Sequence, residues 1–382
     1  MKPSSRKTLW MIILATLVFP FAISIAYSYS LSVKDGLQVR LLTADGGRLD
    51  WYKGKRHDLI AFDAVVNLKN RNTELFTIRP DGSGKKCVTC DSSVPKGFVG
   101  QPAWHPDGEH ILIQAENKHS THRRFEHVSW GINNDLWIVK RDGSGAELIF
   151  KSPENHAALH PHFNDDGTKI IFAERIPTGS LLPRRMRRLT PGGENPWDGW
   201  RIHIADFDIR KKGTNKLSNH KFLFEDRSGF FETHGFTKDG RISFSHTKRG
   251  RPYVDDIYFA NSDGSGMRNL IDSPETWDEH GAFSPSGRSV AFVSSRGYAD
   301  WRAPRSKAAT LRLDLYLKKQ SGEIERLINA NENAPKKMRY MVSDFDWDAT
   351  GTKIAFQLAP FDDKRKRPEA PQIWILKFPT AQ

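Results

Sequence analysis

The chain has 382 residues, of which 38% are hydrophobic, so it can bury a large core. Its formal net charge of +13 indicates an anionic partner: nucleic acid, an anionic membrane surface or an acidic polymer. The N-terminus argues against the first of these, because three basic residues precede an apolar run from about Leu9 to Ala26. Such a run is typical of an export signal or a signal anchor, so we expect no nucleic-acid partner.

The apolar run leaves two possibilities open for the first 30 residues. Ser24-Ile25-Ala26 is similar to a small-x-small cleavage site, which favours removal of a signal peptide. At about 18 residues, however, the run is also long enough to span a bilayer as an N-terminal apolar helix. We therefore predict that residues 1–30 are a signal peptide or a signal anchor. Either one places residues 31–382 in the periplasm or outside the cell, and the second tethers them to the inner membrane.

The chain has two cysteines, Cys87 and Cys90, in the segment KCVTCD. A redox-active pair with this spacing needs a helix N-terminus, whereas this pair follows a turn in a strand-like stretch. Haem attachment would need a histidine after the second cysteine, where Asp91 stands. A local structural disulfide, which an exported chain can keep, is the interpretation that we favour.

The tetrapeptide DGSG occurs three times, beginning at Asp81, Asp142 and Asp263. The intervals are about 60 and about 120 residues, as expected for a repeat with one copy degenerate. A strand-like run lies on each side of every copy, and glycine supplies the positive φ that tight hairpin turns need. Each DGSG is therefore predicted to be the tip of a β-hairpin.

A second turn signal alternates with the first. It consists of a glycine three or four residues after an aromatic residue and before an alternating β run. Six glycines fit this pattern: Gly54, Gly108, Gly167, Gly240, Gly287 and Gly351. The two signals together define a unit of four strands, A to D, with the second signal between A and B and DGSG between C and D. Units of four short strands repeated every 40–60 residues are typical of a β-propeller.

The order of aromatic residue, Pro-x-Gly turn, strand, aspartate-rich strand, DGSG and "LT" resembles the propeller repeats of the TolB family. The resemblance extends over about residues 38 to 378 and implies a periplasmic component of the cell envelope. TolB itself has an α-helical N-terminal domain, for which this chain has too few residues before its first strand. We predict an all-β fold, a monomeric six-bladed β-propeller of four-stranded antiparallel blades. Gln38–Thr43 is expected to close the ring as strand D of the last blade.

In a propeller the A–B and C–D turns lie on one face, which we call the turn face, and the B–C and D–A connections lie on the other, the loop face. The B–C loops are basic. Their candidate ligand-binding residues are Arg123, Arg124, Arg184, Arg185, Arg187, Arg188, Arg249, Arg302 and Arg305. Each loop alone is most simply a solvated surface, but five basic loops on one face indicate a surface that attracts anions. The expected partner is an envelope protein or an anionic polysaccharide.

The D–A junctions supply a second group of candidates. Counting back three residues from the aromatic residue of each strand A gives polar positions, and strand A lines the channel, so these side chains should converge on the channel mouth. The candidates for a divalent metal site, with manganese, zinc or calcium as the ion, are Gln101, His160, His162, His234 and His280. The alternative is that polar residues simply hydrate the channel.

Oligogalacturonate lyases provide a second, weaker resemblance. They are built on similar repeats and hold manganese with histidines and a glutamine, although they usually have seven blades and this chain predicts six. The resemblance implies a metal-dependent lyase or hydrolase that acts on an acidic oligosaccharide. Our leading hypothesis is instead a binding scaffold without enzymatic activity. The sequence has no G-x-S-x-G elbow, which argues against a hydrolase of the prolyl oligopeptidase type.

Overall fold

The computed structural model describes residues 31–67, 69–224, 229–247, 254–301 and 310–379. Six four-stranded antiparallel sheets follow one another along the chain, and their inner strands contact one another in a closed ring. The prediction of an all-β, six-bladed propeller with four-stranded antiparallel blades is therefore confirmed. The apolar segment at the N-terminus, for which a helix was predicted, lies outside the described residues.

Each blade is ordered from the innermost strand A to the outermost strand D. Blade 1 comprises Leu49–Trp51, Ile60–Val65, Thr73–Ile78 and Lys86–Cys87. Blade 2 comprises Val99–Trp104, His110–Glu116, Asn134–Lys140 and Ala146–Phe150. Blade 3 comprises Ala157–Phe163, Lys169–Arg175, Trp200–Phe207 and Leu217–Leu223. Blade 4 comprises Phe230–Phe236, Ile242–Thr247, Asp255–Ala260 and Arg268–Asn269. Blade 5 comprises Asp278–Phe283, Ser289–Ser294, Asp314–Lys319 and Ile324–Arg326. Blade 6 comprises Met338–Trp347, Lys353–Asp362, Gln372–Lys377 and Gln38–Thr43.

Gln38–Thr43 forms the outer strand of blade 6 by antiparallel pairing with Gln372–Lys377. Ser32–Val33 pairs with Ile328–Asn329 just after strand D of blade 5. Arg367–Pro368 pairs antiparallel with the last two residues of strand B of blade 6. The helices of the described part are short 3-10 turns: Arg124–Glu126, Arg184–Leu189, Pro191–Gly193 and Gly213–Lys216. None of the described helices is long and apolar enough to cross a membrane.

The core lies between the blades, because side chains alternate across each strand. In strand B of blade 2, Ile111 and Ile113 pack into the cluster between blades 1 and 2. Leu112, between them in sequence, packs into the cluster between blades 2 and 3. Both faces of the sheet are thus buried, which explains why the middle strands are almost continuously apolar.

The three DGSG turns have the same geometry. The side-chain Oδ1 of Asp81, Asp142 and Asp263 accepts a hydrogen bond from the backbone N–H two residues later, at 2.8, 2.8 and 2.9 Å. The glycine that follows each aspartate has a φ of 80–91°. Asp-Gly is therefore required by the local turn chemistry and needs no ligand to explain it. Beside the first turn, Cys87 and Cys90 form a disulfide bond.

Candidate metal centre in the channel

Strand A contains one extra residue relative to strand B in each of blades 2 to 6, which makes a β-bulge at equivalent positions. At three of these bulges a non-glycine residue has a positive φ: Gln101 at 52°, His160 at 50° and His280 at 56°. Such residues are uncommon, and a bulge changes the direction in which a side chain points. All three line a small cavity of about 80 Å³ in the channel.

The bulges bring three imidazoles together. Ring nitrogens of His160, His234 and His280 all lie within 4.8 Å of one another. The ring centroids are 6.1 Å apart for His160 and His234, 5.3 Å for His160 and His280, and 5.0 Å for His234 and His280. Imidazole binds zinc at about 2.1 Å, so small side-chain rotations would let the three nitrogens share one ion.

Two other predicted ligands lie in the same cavity with different surroundings. His162 Nε2 lies 3.2 Å from the backbone oxygen of Thr233, so this nitrogen is within hydrogen-bond distance of the backbone. The side-chain Nε2 of Gln101 is buried and has no hydrogen-bond partner among the described residues. Because the oxygen and nitrogen of an amide are interchangeable by a flip, Gln101 can present an oxygen ligand instead.

Three carboxylates surround the histidines. Glu232 Oε1 lies 3.1 Å from His160 Nδ1, and Asp344 Oδ1 lies 3.3 Å from His160 Nε2. Glu279 Oε1 lies 3.8 Å from His280 Nε2. The sequence analysis did not identify Glu232 or Glu279 as site residues. A signal for them exists, since each directly precedes the position found by counting back from the strand A aromatic residue.

The buried environment favours the neutral form of three of the imidazoles, those of His160, His162 and His234. Burial, together with the neighbouring histidines, holds the pKa of His234 well below its usual range. Burial and the adjacent His160 lower the pKa of His162 to about 3, and burial also lowers the pKa of His160. Neutral imidazole is the form that binds a metal ion, so the lowered pKa values of these three side chains favour metal binding.

The carboxylates differ in protonation. Burial, with repulsion from Glu279 and Asp344, raises the pKa of Glu232 well above its usual range. Burial also raises the pKa of Glu279. Burial opposes ionisation of Asp344 as well, but His280 and the hydrogen bond with His160 outweigh it and lower the pKa of Asp344. These shifts favour ionisation of Asp344 beside the histidines and protonation of Glu232 and Glu279.

A larger cavity of about 600 Å³ adjoins the histidines on the side of the turn face. Its lining includes A–B turn residues of every blade, such as Gly54, Pro106 and Lys238, together with His162 and His234. Among the described residues, none from a B–C loop lines it. The candidates therefore lie inside the channel and are reached from the turn face, whereas the sequence analysis had placed them at the channel mouth beside the loops.

A pair of carboxyl groups, Asp50 and Asp346, lines both cavities. Asp50 Oδ2 accepts the backbone N–H of Trp104 at 2.6 Å, and Asp346 Oδ2 accepts that of Trp51 at 2.7 Å. Lys53 pairs with Asp346. Burial and the charge of Asp346 raise the pKa of Asp50 well above its usual range, which favours the protonated form of Asp50.

The basic residues predicted for the loop face are only partly described. Arg123 is exposed and donates from Nη1 to the backbone oxygen of Thr190 at 2.9 Å, which joins the loops of blades 2 and 3. Four arginines are exposed on the 3-10 helix Arg184–Leu189: Arg184, Arg185, Arg187 and Arg188. Arg249, Arg302, Arg305 and the side chain of Arg124 lie outside the described residues.

Comparisons with known proteins identify propeller relatives without assigning a family. No protein-family model matches the chain, so membership of the TolB family stays a prediction. Dipeptidyl-peptidase 5 of Porphyromonas gingivalis is 25% identical over 247 residues, which are 60% of this chain and 34% of that protein. The match thus spans about a third of that relative.

Several solved structures are similar over most of this chain. Oligogalacturonate lyase in complex with manganese has a TM-score of 0.49 at 11% identity, covering 92% of this chain and 96% of that one. Prolyl oligopeptidase B from Galerina marginata has a TM-score of 0.45 at 10% identity, covering 88% and 43%. The acylaminoacyl peptidase of Pyrococcus horikoshii also has a TM-score of 0.45, at 13% identity, covering 83% and 44%.

Proposed function

We propose that this protein binds a divalent transition metal ion in its channel and acts there on a small acidic saccharide, as a lyase or hydrolase. The observation that carries the proposal is the convergence of His160, His234 and His280 within 4.8 Å. Gln101, with its unpartnered buried amide, is the proposed fourth ligand. This set contains three nitrogen donors, so zinc or manganese fits it better than calcium, which takes six to eight oxygen ligands.

The carboxylates support this assignment as outer-shell partners. A metal-bound imidazole usually gives its second ring nitrogen to a carboxylate, which fixes the ring orientation. Glu232 and Asp344 lie on opposite nitrogens of His160, so whichever nitrogen binds the ion, a carboxylate remains for the other. A bound divalent ion would supply Lewis-acid polarisation of a substrate oxygen.

The chain's own residues would hold the substrate and move protons. The cavity of about 600 Å³ falls within the range for small-molecule sites. Lys53 and Lys238 line it and can attract a carboxylate group of the substrate. Asp50, whose pKa is raised by burial and by the charge of Asp346, is the proposed general acid.

Calorimetric titration of metal-stripped protein with Mn²⁺ and with Zn²⁺ tests the metal site. We expect one ion per chain for the wild type, and binding at least about 100-fold weaker for His280→Ala. His220→Ala is the matched control, because His220 lies on the outer strand of blade 3 and is exposed. Equal binding by the two variants would contradict the metal site. Cleavage of oligogalacturonate but not of a neutral oligosaccharide, lost in Asp50→Asn, would support the reaction.

A second candidate function is a binding scaffold of the cell envelope without enzymatic activity. It is favoured by Arg184, Arg185 and Arg188, which are exposed and form no ion pair with any other described residue. We propose export to the periplasm, a monomeric state and TolB-like interactions as parts of this candidate. The two candidates use opposite faces, so reversing the charge of these arginines should leave metal binding unchanged.

A further inference from the structure

The first described residues show at which end of blade 5 the described chain begins. Ser32 pairs with Asn329 and Val33 with Ile328, so the chain read backwards from Val33 moves along blade 5 toward Ala330. The N–H of Ala330 donates to Asp314, the first residue of strand C after the B–C loop, at 2.8 Å. The described chain therefore begins at the end of blade 5 that bears its B–C loop.

The distance between the apolar run and the propeller is short. The run ends at about Ala26, and Leu31 is already buried against the propeller. Five residue steps of at most about 3.6 Å give a reach of at most about 18 Å. If the run lies in a bilayer, as the sequence predicts for an anchor, the loop face is the part of the propeller next to the membrane surface.

The loop face carries the chemistry that such a position needs. The 3-10 helix Arg184–Leu189 presents its four arginines without an acidic residue among them. Leu181 and Met186, in the same loop, are large apolar side chains that are 50% and 37% exposed. Basic residues beside exposed apolar ones are typical of segments that lie in the headgroup region of an anionic bilayer.

Basic residues on the turn face are arranged differently. Arg241 pairs with Asp239 at 2.9 Å and Arg210 with Asp208 at 2.9 Å, both within turns of that face. Lys169 likewise pairs with Asp206. These pairs neutralise the basic charges locally, whereas no described acid does so for Arg184, Arg185 and Arg188. The positive charge of the blade 3 loop is therefore not neutralised by a described acidic residue and is available to an anionic surface.

We propose that the loop face lies against an anionic bilayer surface, with Leu181 and Met186 entering the headgroup region and the arginines contacting lipid phosphates. This inference deepens the scaffold candidate by naming the partner of its basic face, and it does not depend on the channel metal. It also orients the molecule, because the large cavity on the turn face then opens away from the membrane. A substrate would reach the channel from solution.

The test uses the full chain in vesicles of phosphatidylcholine, with or without phosphatidylglycerol, that contain a headgroup-labelled acceptor lipid. A donor dye is attached at Ser180→Cys in the blade 3 loop or at Gln320→Cys in the C–D turn of blade 5, both exposed positions. We expect efficient energy transfer from position 180 and little from position 320. Transfer from position 180 should increase with phosphatidylglycerol and decrease at high salt, because the attraction is electrostatic.

The decisive variant is Arg184→Glu/Arg185→Glu/Arg188→Glu, and the matched control is Lys211→Glu/Lys212→Glu/Arg288→Glu, which reverses three exposed charges on the turn face. Each arginine near an anionic surface contributes about fivefold to binding, so the first variant should lose the lipid-dependent transfer and the control should keep it. Equal transfer from the two dye positions, or failure of the wild type to stay with the vesicles, would overturn the proposal. So would arginine-dependent binding of polygalacturonate or of an acidic envelope protein without any response to phosphatidylglycerol. His280→Ala should leave transfer unchanged.

Discussion

The aspartates at the two ends of the blades differ in burial and in the direction of their pKa shifts. At the turn end, Asp81 and its equivalents are exposed, and hydrogen bonds from a serine two residues later lower their pKa values. At the loop end, the aspartates that begin strand C, such as Asp255 and Asp314, are buried, and burial raises their pKa values. The turn end therefore repeats one local hydrogen-bonded turn, while the burial of the aspartates at the loop end depends on how neighbouring blades pack.

The same difference explains where chemistry is concentrated. The DGSG turns of blades 1, 2 and 4 are alike because local geometry alone determines them. The bulges of strand A in blades 2 to 6 occupy equivalent positions too, but the polar side chain there varies between blades, so five strands can build one mixed site. Repetition thus supplies the scaffold, and the departures from repetition supply the candidate ligands.

The largest stability difference between the two ends is expected for glycine substitutions. Gly131, in the B–C loop of blade 2, has a φ of +63°, and a Cβ there would lie 2.3 Å from the backbone oxygen of Ala158 in blade 3. Gly240, in an A–B turn, has a φ of +81° with nothing within 4 Å. We expect Gly131→Ala to cost about 4 kcal/mol and Gly240→Ala about 1 kcal/mol in urea unfolding. Equal costs would contradict the distinction.

The pH dependence of stability should also differ between the ends. Burial raises the pKa of Asp314 to about 6, so the folded state holds a proton that the unfolded chain releases near pH 4. Stability from this residue is therefore complete below about pH 4 and is lost as the pH rises to 6, by about 3 kcal/mol. Asp314→Asn should remove this slope, and Asp81→Asn should keep it. Thermal unfolding across this pH range measures both, and an unchanged slope in Asp314→Asn would show that the carboxyl is not protonated.

The smallest effect is expected at the outer rim of blade 1. The disulfide between Cys87 and Cys90 closes a loop of only a few residues, so it restricts the unfolded chain little. Cys87→Ser/Cys90→Ser should cost about 2 kcal/mol in unfolding free energy, and reduction of the wild type should have the same effect. A loss much larger than that of Gly131→Ala would mean that the rim, and not the packing between blades, controls stability.

Sequence reasoning was most successful where the signals were local. The two recurring turn signals predict the strands and the six blades, because each turn type requires particular residues. Counting back from the aromatic residues found Gln101, His160 and His280 because the bulge lies at a fixed distance from them. Glu232 was missed because its approach to His160 depends on how blade 4 packs against blade 3. Glu279 was missed because the count from the aromatic residue selects the next position, His280.

Two further features were also beyond sequence reasoning, for the same physical reason. The position of the large cavity on the turn face depends on how the A–B turns of all six blades surround the channel, which no local pattern encodes. The basic loops looked alike in sequence, yet Arg365 and Arg367 of blade 6 pair with Asp362 and Glu369, whereas the blade 3 arginines lack such partners among the described residues. Ion pairing depends on loop conformation, and composition does not reveal it.

The most direct test of the central claim is the metal content of the protein purified without chelators, measured by elemental analysis after dialysis. We predict about one zinc or manganese ion per chain. The ion should be lost in His234→Ala and kept in His220→Ala, because His234 is one of the three converging imidazoles and His220 is not. Wild-type protein that contains no metal, and gains none from excess Zn²⁺ or Mn²⁺, would contradict the claim. The histidines and carboxylates of the channel would then be a hydrogen-bonded polar lining.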